Sequence, residues 1–260
     1  MEIRLDGKRA LVTGANSGLG EAMALALADA GADVAVNYVV NPEAAEDLVR
    51  RIKAKGRRAV ALEADVSDPA AVARMFTEMD ESLGGIDILL NNAGVDGHKA
   101  LSWEAEVAQW QKVIQINLLG AYYCAREALR RMTAQRSGVV LCTSSVHEVI
   151  AWSGYSAYTA SKGGMNMMAK TLAQEAGEFG VRVLSIAPGA IATPINASVL
   201  DDPKWQEDLM GKVAIKRVGK TEDVANLALF LVSDHASYMT GTTVFVDGGM
   251  TDYPAFAHGG

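Results

Sequence analysis

KRALVTGANSGLGEAMALALADAG, residues 8–31, is the stretch on which the fold turns. It opens with a short apolar run, Ala10 to Val12, that reads as a buried strand. It turns through Gly14, Gly18 and Gly20, then continues with apolar residues at helical spacing. Glycines permit a tight turn and let the backbone approach a pyrophosphate closely. The helix start that follows offers free N–H groups and the positive end of a dipole. The spacing is TGxxxGxG rather than the GxGxxG of the usual dinucleotide fingerprint. A glycine triplet alone says only that the chain turns. A strand before it, a helix after it and a YxxxK downstream, at 158–162, make it a strong signal for a phosphate cradle.

Working outward, strands are expected at 33–38, 58–63, 86–91, 138–144, 181–187 and 242–246. Helices are expected at 42–55 and 69–82, along a long stretch at 104–133, and around Tyr158 as far as 179–180, where Gly180 reads as a C-cap. Alternating strands and helices imply an α/β chain, a doubly wound parallel sheet with helices on both faces. Ligands in such sheets bind beyond the carboxyl ends of the strands. Gly14, Asn91, Ser145 and Pro188 all fall at or just past expected strand ends.

The 260 residues, half of them hydrophobic, suffice for one substantial core, and no Pro-rich, low-complexity or charge-run linker divides them. A net charge of −7 argues against nucleic-acid and anionic-membrane partners. RRIKAKGRR at 50–58, the one basic run, reads as a solvated helix end. Cys124 and Cys142 sit in apolar surroundings without metal-ligand spacing, so they read as core residues, and no metal site is expected. No signal peptide opens the chain and no apolar run reaches membrane-spanning length, so a cytoplasmic location is expected. The methionines of MNMMAK, 165–170, read as core or interface packing.

Tyr158 and Lys162, four apart in YTASK, share a helix face. A lysine ammonium beside a phenol stabilises the phenolate and lowers a tyrosine pKa from its usual value of about 10. Tyr158 then becomes a general acid/base. A lone YxxxK would be an ordinary surface pair; here it follows the glycine loop.

TGANSGLG at 13–20, NNAG at 91–94, Asn117, Ser145, YTASK at 158–162 and PGAIATP at 188–194 together resemble the short-chain dehydrogenase/reductase family, in its order and spacing, over nearly the whole chain. The resemblance implies a single domain over 1–260, with a cofactor half at about 1–145 and a substrate and catalytic half at about 146–260. It implies that Tyr158 exchanges the substrate proton, that Lys162 tunes it and binds the nicotinamide ribose, and that Ser145 holds the substrate oxygen. Asn117 would anchor a water linking Lys162 to solvent. Cofactor contacts are implied for Gly14, Asn16, Ser17, Gly18, Leu19, Gly20, Asn37 and Tyr38 on the first two βα units. Asp65 and Val66 would touch adenine, with Asp65 equally readable as a helix-start cap. Asn91, Ala93 and Gly94 would line the cofactor, and Pro188, Gly189, Ile191 and Thr193 would cover the nicotinamide. A homotetramer is implied as well.

NAD or NADP is decided at the end of strand two, VAVNYVVNPE. An acidic residue there would hold the ribose hydroxyls and an arginine would accept a 2′-phosphate. This chain has neither, and no cation in the glycine loop, which favours NAD with NADP left open. Within the family, SSVHE at 144–148, PGAIATPINA at 188–197 and the tail at 247–260 are similar to the bacterial glucose 1-dehydrogenase branch. That likeness implies oxidation of the C1 hydroxyl of an aldose, with Asp96, Ser145, His147, Tyr158 and Asn196 facing the sugar and Glu148 beside them. His147 reads equally as a loop histidine capping the strand, and Trp152 and Tyr155 either stack on a sugar or form a plain apolar wall. Reduction of 3-oxoacyl thioesters or small ketones is the alternative. A dinucleotide-binding protein without turnover is the third reading, against which all four site residues stand.

Overall fold

Each strand is apolar on both sides because both faces of its sheet are covered. The computed structural model describes residues 2–193 and 203–252. In chain order they form β1 (Arg9–Val12), α1 (Gly18–Asp29), β2 (Asp33–Tyr38), α2 (Pro42–Ala54), β3 (Ala59–Glu63), α3 (Pro69–Leu83) and β4 (Ile88–Asn91). Then follow α4 (Val107–Ile114), a π-helical segment (Gln115–Gly120), α5 (Ala121–Gln135), β5 (Gly138–Thr143), α6 (Ser156–Ala176) and β6 (Val181–Pro188). The last elements are α7 (Pro203–Lys212), α8 (Thr221–Val232) and β7 (Thr243–Val246).

The seven strands make one parallel sheet in the order β3-β2-β1-β4-β5-β6-β7. The doubly wound architecture expected from the sequence is therefore present. Side chains alternate between its two faces. Ala10 and Val12 of β1 pack with Met23 and Leu27 of α1 and Leu231 of α8, whereas Leu11 between them packs with Phe76 and Met79 of α3 and Ala128 of α5. Chain order reverses between β1 and β4, and a crevice opens there at the carboxyl ends of the strands.

Ends of the expected strands and helices fall within about two residues, with two exceptions, while α7 and α8 were not expected from the sequence. The stretch expected as one helix at 104–133 begins only at Val107 and carries the π-helical segment. A wider i→i+5 turn adds a residue without breaking the helix, so apolar periodicity does not report it. The Tyr158 helix stops at Ala176 and closes through a 3-10 turn, with Gly180 in the left-handed region at φ 73°.

Candidate active site

The glycine loop is held from three sides. Thr13, fully buried after β1, accepts hydrogen bonds at Oγ1 from the N–H groups of Asn92 (2.9 Å) and Ala93 (3.0 Å). Asn92 Nδ2 donates back to the carbonyls of Thr13 (3.0 Å) and Gly14 (3.2 Å). Asn16 Nδ2 donates to the carbonyls of Val40 (2.7 Å) and Asn41 (3.2 Å), tying the loop to the β2–α2 turn. At Gly20 an added Cβ would lie 2.3 Å from the Gly14 carbonyl oxygen, so only glycine lets α1 approach β1 this closely. Ser17 precedes α1 without a side-chain cap, which leaves the first N–H groups of the helix without a side-chain acceptor there. Glu21 in that first turn is engaged by Arg51 at 2.6 Å. Cradle and helix start together fit a pyrophosphate.

Asn37 corrects one expectation. Expected to meet the cofactor, it is 2% exposed. Its Oδ1 accepts from the Gly14 N–H (3.2 Å) and its Nδ2 donates to the carbonyls of Leu62 (3.2 Å) and Ala64 (3.0 Å). It latches three strand ends and has no surface left for a ribose. Tyr38 faces Glu63, and burial together with that carboxylate holds the phenol above its ordinary pKa. The exposed side chains at this end of β2 are Val39 (55%) and Val40 (69%). Asp65 is exposed and closes a turn, accepting from Ser67 N (2.9 Å) and Oγ (2.7 Å). The α3 cap is Asp68, which accepts from Ala70 N at 2.8 Å, so the cap reading belongs three residues later. Val66 is buried against Gly120. Asn91 is buried and donates to the Ala121 carbonyl at 2.7 Å; the asparagine of the loop contact is Asn92, which sequence reasoning missed along with Thr13. Both stand inside quoted motifs, TG and NNAG, so the only available signal was their place beside the glycines.

The π-helical segment delivers Asn117 to the other side of the crevice. Fully buried, it accepts from Val95 N at Oδ1 (2.8 Å) and donates from Nδ2 to Val95 O (2.8 Å) and Ser161 Oγ (3.2 Å). Its side chain thus locks the loop after β4 to α6. A Cβ on Gly94 would stand 3.3 Å from Asn117 Oδ1 and 3.8 Å from Lys162 Nζ, so the loop, the asparagine and the lysine converge.

On α6, Lys162 lies beneath Tyr158, its Nζ 5.5 Å from the ring centroid and donating to the Thr143 carbonyl at 2.7 Å. Ser145 acts on the Tyr158 hydroxyl in the direction that favours the phenolate. Burial outweighs the expected stabilisation of the phenolate. It pushes the Tyr158 phenol up to about 12, against the Ser145 hydrogen bond, and the charge of Asp96 raises it further. Burial likewise brings Lys162 down to about 8, opposed by the charges of Asp96, Cys142 and Glu148. A lowered tyrosine was expected; both groups are instead shifted toward their neutral forms by desolvation, with Lys162 at about 8 still an ammonium at neutral pH.

A flat aromatic stack walls the crevice beside Tyr158. His147 lies 4.4 Å from Trp152 at 10° between ring planes, Trp152 lies 3.9 Å from Tyr155, and both His147 and Trp152 meet Tyr158 edge-on at 6.1 and 5.9 Å. His147 Nδ1 is hydrogen-bonded to the Ile150 carbonyl at 3.0 Å, leaving Nε2 for another partner. The cap after β5 is Ser145, which accepts from His147 N at 3.2 Å, so His147 is not the strand cap. Asp96 is held above its ordinary pKa by burial, against the pull of Lys162 and His147. Glu148, set beside the sugar ligands by sequence, has both oxygens occupied by Ser144 (2.5 Å) and Asn166 (2.9 Å). Gly189 follows Pro188 at the end of β6, where an added Cβ would lie 2.8 Å from Asp247 Cα, and Ile191 is buried against Gly219. Thr193 ends this stretch; Asn196 and the tail beyond Asp252 lie outside the described residues.

The sequence profile of the family described as enoyl-(acyl carrier protein) reductase matches residues 14–251, from the glycine loop to the end of the sheet. The chain belongs to the short-chain dehydrogenase/reductase family. It is 44% identical over 256 residues to 3beta-hydroxysteroid dehydrogenase 1 of Eggerthella lenta, covering 98% of each chain. It is 41% identical over 252 residues to glucose 1-dehydrogenase 2 of Bacillus subtilis, covering 96% of this chain and 97% of that one. Among solved structures, a gluconate 5-dehydrogenase from Burkholderia cenocepacia in complex with NADP and tartrate superposes with a TM-score of 0.92 at 33% identity, over 96% of this chain and 98% of that one. As a short-chain dehydrogenase/reductase the chain is an oxidoreductase acting on CH–OH groups with a nicotinamide dinucleotide.

Proposed function

We propose that this short-chain dehydrogenase/reductase oxidises a ring-borne CH–OH group, the C1 hydroxyl of an aldose such as D-glucose, to the lactone. The observation that carries the reading is the aromatic stack of His147, Trp152 and Tyr155, edge-on to Tyr158 and next to Asp96. The apolar C–H face of a sugar ring packs against such a wall, while the Asp96 carboxyl and His147 Nε2 supply polar partners for its hydroxyls.

In this reading Tyr158 takes the hydroxyl proton of the alcohol as general base, Ser145 holds the same oxygen, and Lys162 favours the phenolate. Asn117 positions these groups by fixing Val95 and Ser161. Because burial keeps the phenol protonated at neutral pH, oxidation quickens as pH rises. When bound, the nicotinamide supplies the hydride acceptor. Gly14, the Gly18–Gly20 turn, Ala93 and Gly94 would hold the dinucleotide in the half at about 1–145, with Tyr158, Lys162 and the 188–193 segment closing the nicotinamide end.

NAD is the preferred form. Val39 and Val40 offer nothing to a 2′-phosphate, and the nearby cations Arg50 and Arg51 are paired with Asp47 and Glu21. Val39→Arg should therefore raise kcat/KM with NADP roughly ten-fold or more over that with NAD, since a guanidinium meets a phosphate in bidentate fashion.

A second reading, a hydroxysteroid, is favoured by the engagement of Glu148 and by the exposed apolar side chains Val95, Leu101 and Val149 in the segments after β4 and β5. Initial rates with NAD and NADP on D-glucose, a 3β-hydroxysteroid and a 3-oxoacyl ester separate the readings. Glucose oxidation supports the aldose. Steroid turnover alone replaces it with the second reading, and turnover of the ester alone removes both. We place the enzyme in the cytoplasm as a homotetramer, a state supported by exposed Tyr122 on α5 and Met167 on α6 and testable by light scattering. No described helix is long and apolar enough to cross a membrane.

A further inference from the structure

Tyr158, Lys162 and Asn166 stand at successive turns of α6, so Asn166 shares the face that carries the reacting pair. Its Nδ2 donates to Glu148 Oε1 at 2.9 Å, and Ser144, immediately before Ser145, donates to Glu148 Oε2 at 2.5 Å. On the far side Thr243 of β7 approaches Asn166 Oδ1 at 3.5 Å. One carboxylate therefore joins the end of β5 to the middle of α6, with both of its oxygens engaged.

We infer that Glu148 is a positioning residue for this oxidoreductase: it sets Ser145 against Tyr158 through Ser144 and Asn166, and it places a negative charge near the Lys162 ammonium. The inference rests on the catalytic reading of Tyr158 and Lys162 above. Two of its consequences are separable. The hydrogen bonds fix geometry, and a small misplacement of a catalytic group costs rate. The charge supports an ammonium that burial disfavours. The titratable groups that bear on Lys162 are Asp96 in the loop after β4, Cys142 on β5 and Glu148 in the turn after β5, with the neutral Tyr158 ring of α6 centred 5.5 Å from its Nζ. Asp96 remains when Glu148 is neutralised, so the lysine loses part of its support.

The test uses the full chain with the best alcohol of the panel above. Glu148→Gln keeps size and one acceptor oxygen while removing charge. It should bind dinucleotide like the wild type, lose kcat roughly ten-fold or more with little change in KM, and move the alkaline limb of the pH–rate profile to lower pH. Ser144→Ala cuts the tether but not the charge, and should lower kcat without moving that limb. Tyr158→Phe, assayed in parallel, keeps the two ideas distinct. If Tyr158→Phe is inactive while Glu148→Gln has wild-type kcat and an unmoved limb, the Glu148 inference is overturned. If Tyr158→Phe stays active, the catalytic reading fails instead. Should Glu148→Gln not fold, wild-type kcat in Ser144→Ala overturns the inference.

Discussion

Asn37→Asp separates what the end of β2 looks like in sequence from what it does in the fold. Read as sequence, an acidic residue there should hold the adenosine ribose and tighten NAD binding. In the structure the replaced amide points two N–H groups at the carbonyls of Leu62 and Ala64, at 3.2 and 3.0 Å. A carboxylate would remove both donors and set a buried negative charge against two carbonyl oxygens; the Oδ1 contact with Gly14 N would survive. Two lost hydrogen bonds at about 1 kcal/mol each, plus about 1 kcal/mol for unsatisfied and repelled carbonyls, give about 3 kcal/mol of destabilisation. For a chain of this length that is a fall in Tm of about 6–10 °C. The introduced carboxyl would have a folded-state pKa above its unfolded value of about 3.9. The native state would then bind the extra proton, so the penalty shrinks as pH falls through that raised pKa. Urea unfolding at pH 7 and pH 5 measures the penalty, and fluorescence titration measures NAD affinity. A variant as stable as wild type that binds NAD more tightly would refute the latch and restore the ribose contact.

Three further outcomes follow from named contacts. Tyr158→Phe should lower kcat/KM by roughly 10² to 10⁴ while leaving dinucleotide affinity within about two-fold, measured by steady-state kinetics and titration. Burial lowers Lys162 from its model-compound value of 10.5 to about 8. Between those two values the unfolded chain binds the extra proton, so stability rises with pH across the window, by an amount on the order of 2–3 kcal/mol. Lys162→Met should flatten that rise in denaturant titrations from pH 7.5 to 10.5; an unchanged slope would show that the lysine is not desolvated. Gly20→Ala forces a Cβ to within 2.3 Å of the Gly14 carbonyl oxygen, so it should cost about 2–3 kcal/mol and weaken dinucleotide binding at least ten-fold. Wild-type affinity in that variant would mean the loop is not the cradle.

Much of this was legible in one dimension. Strands buried on both faces are short apolar runs, helices that cover them repeat every three to four residues, and glycines mark the turns between them; local sterics and hydrophobic patterning decide these features residue by residue. The same locality made Tyr158 and Lys162 readable, because four residues on a helix are always one turn. What only the tertiary structure decided is which polar groups have a partner. Asn37, Asn91 and Glu148 stand in motif positions that invite a ligand, yet their bonds go to Leu62, Ala121 and Asn166, between 18 and 30 residues away in the chain. Thr13 and Asn92, unremarked in sequence, hold the loop together across 79 residues. The direction of the Tyr158 shift has the same origin: spacing shows that a lysine is near, but only packing shows how much water both groups have lost. Hydrogen-bond partners and desolvation belong to the folded arrangement, where chains distant in sequence close over one another, and no periodicity encodes them.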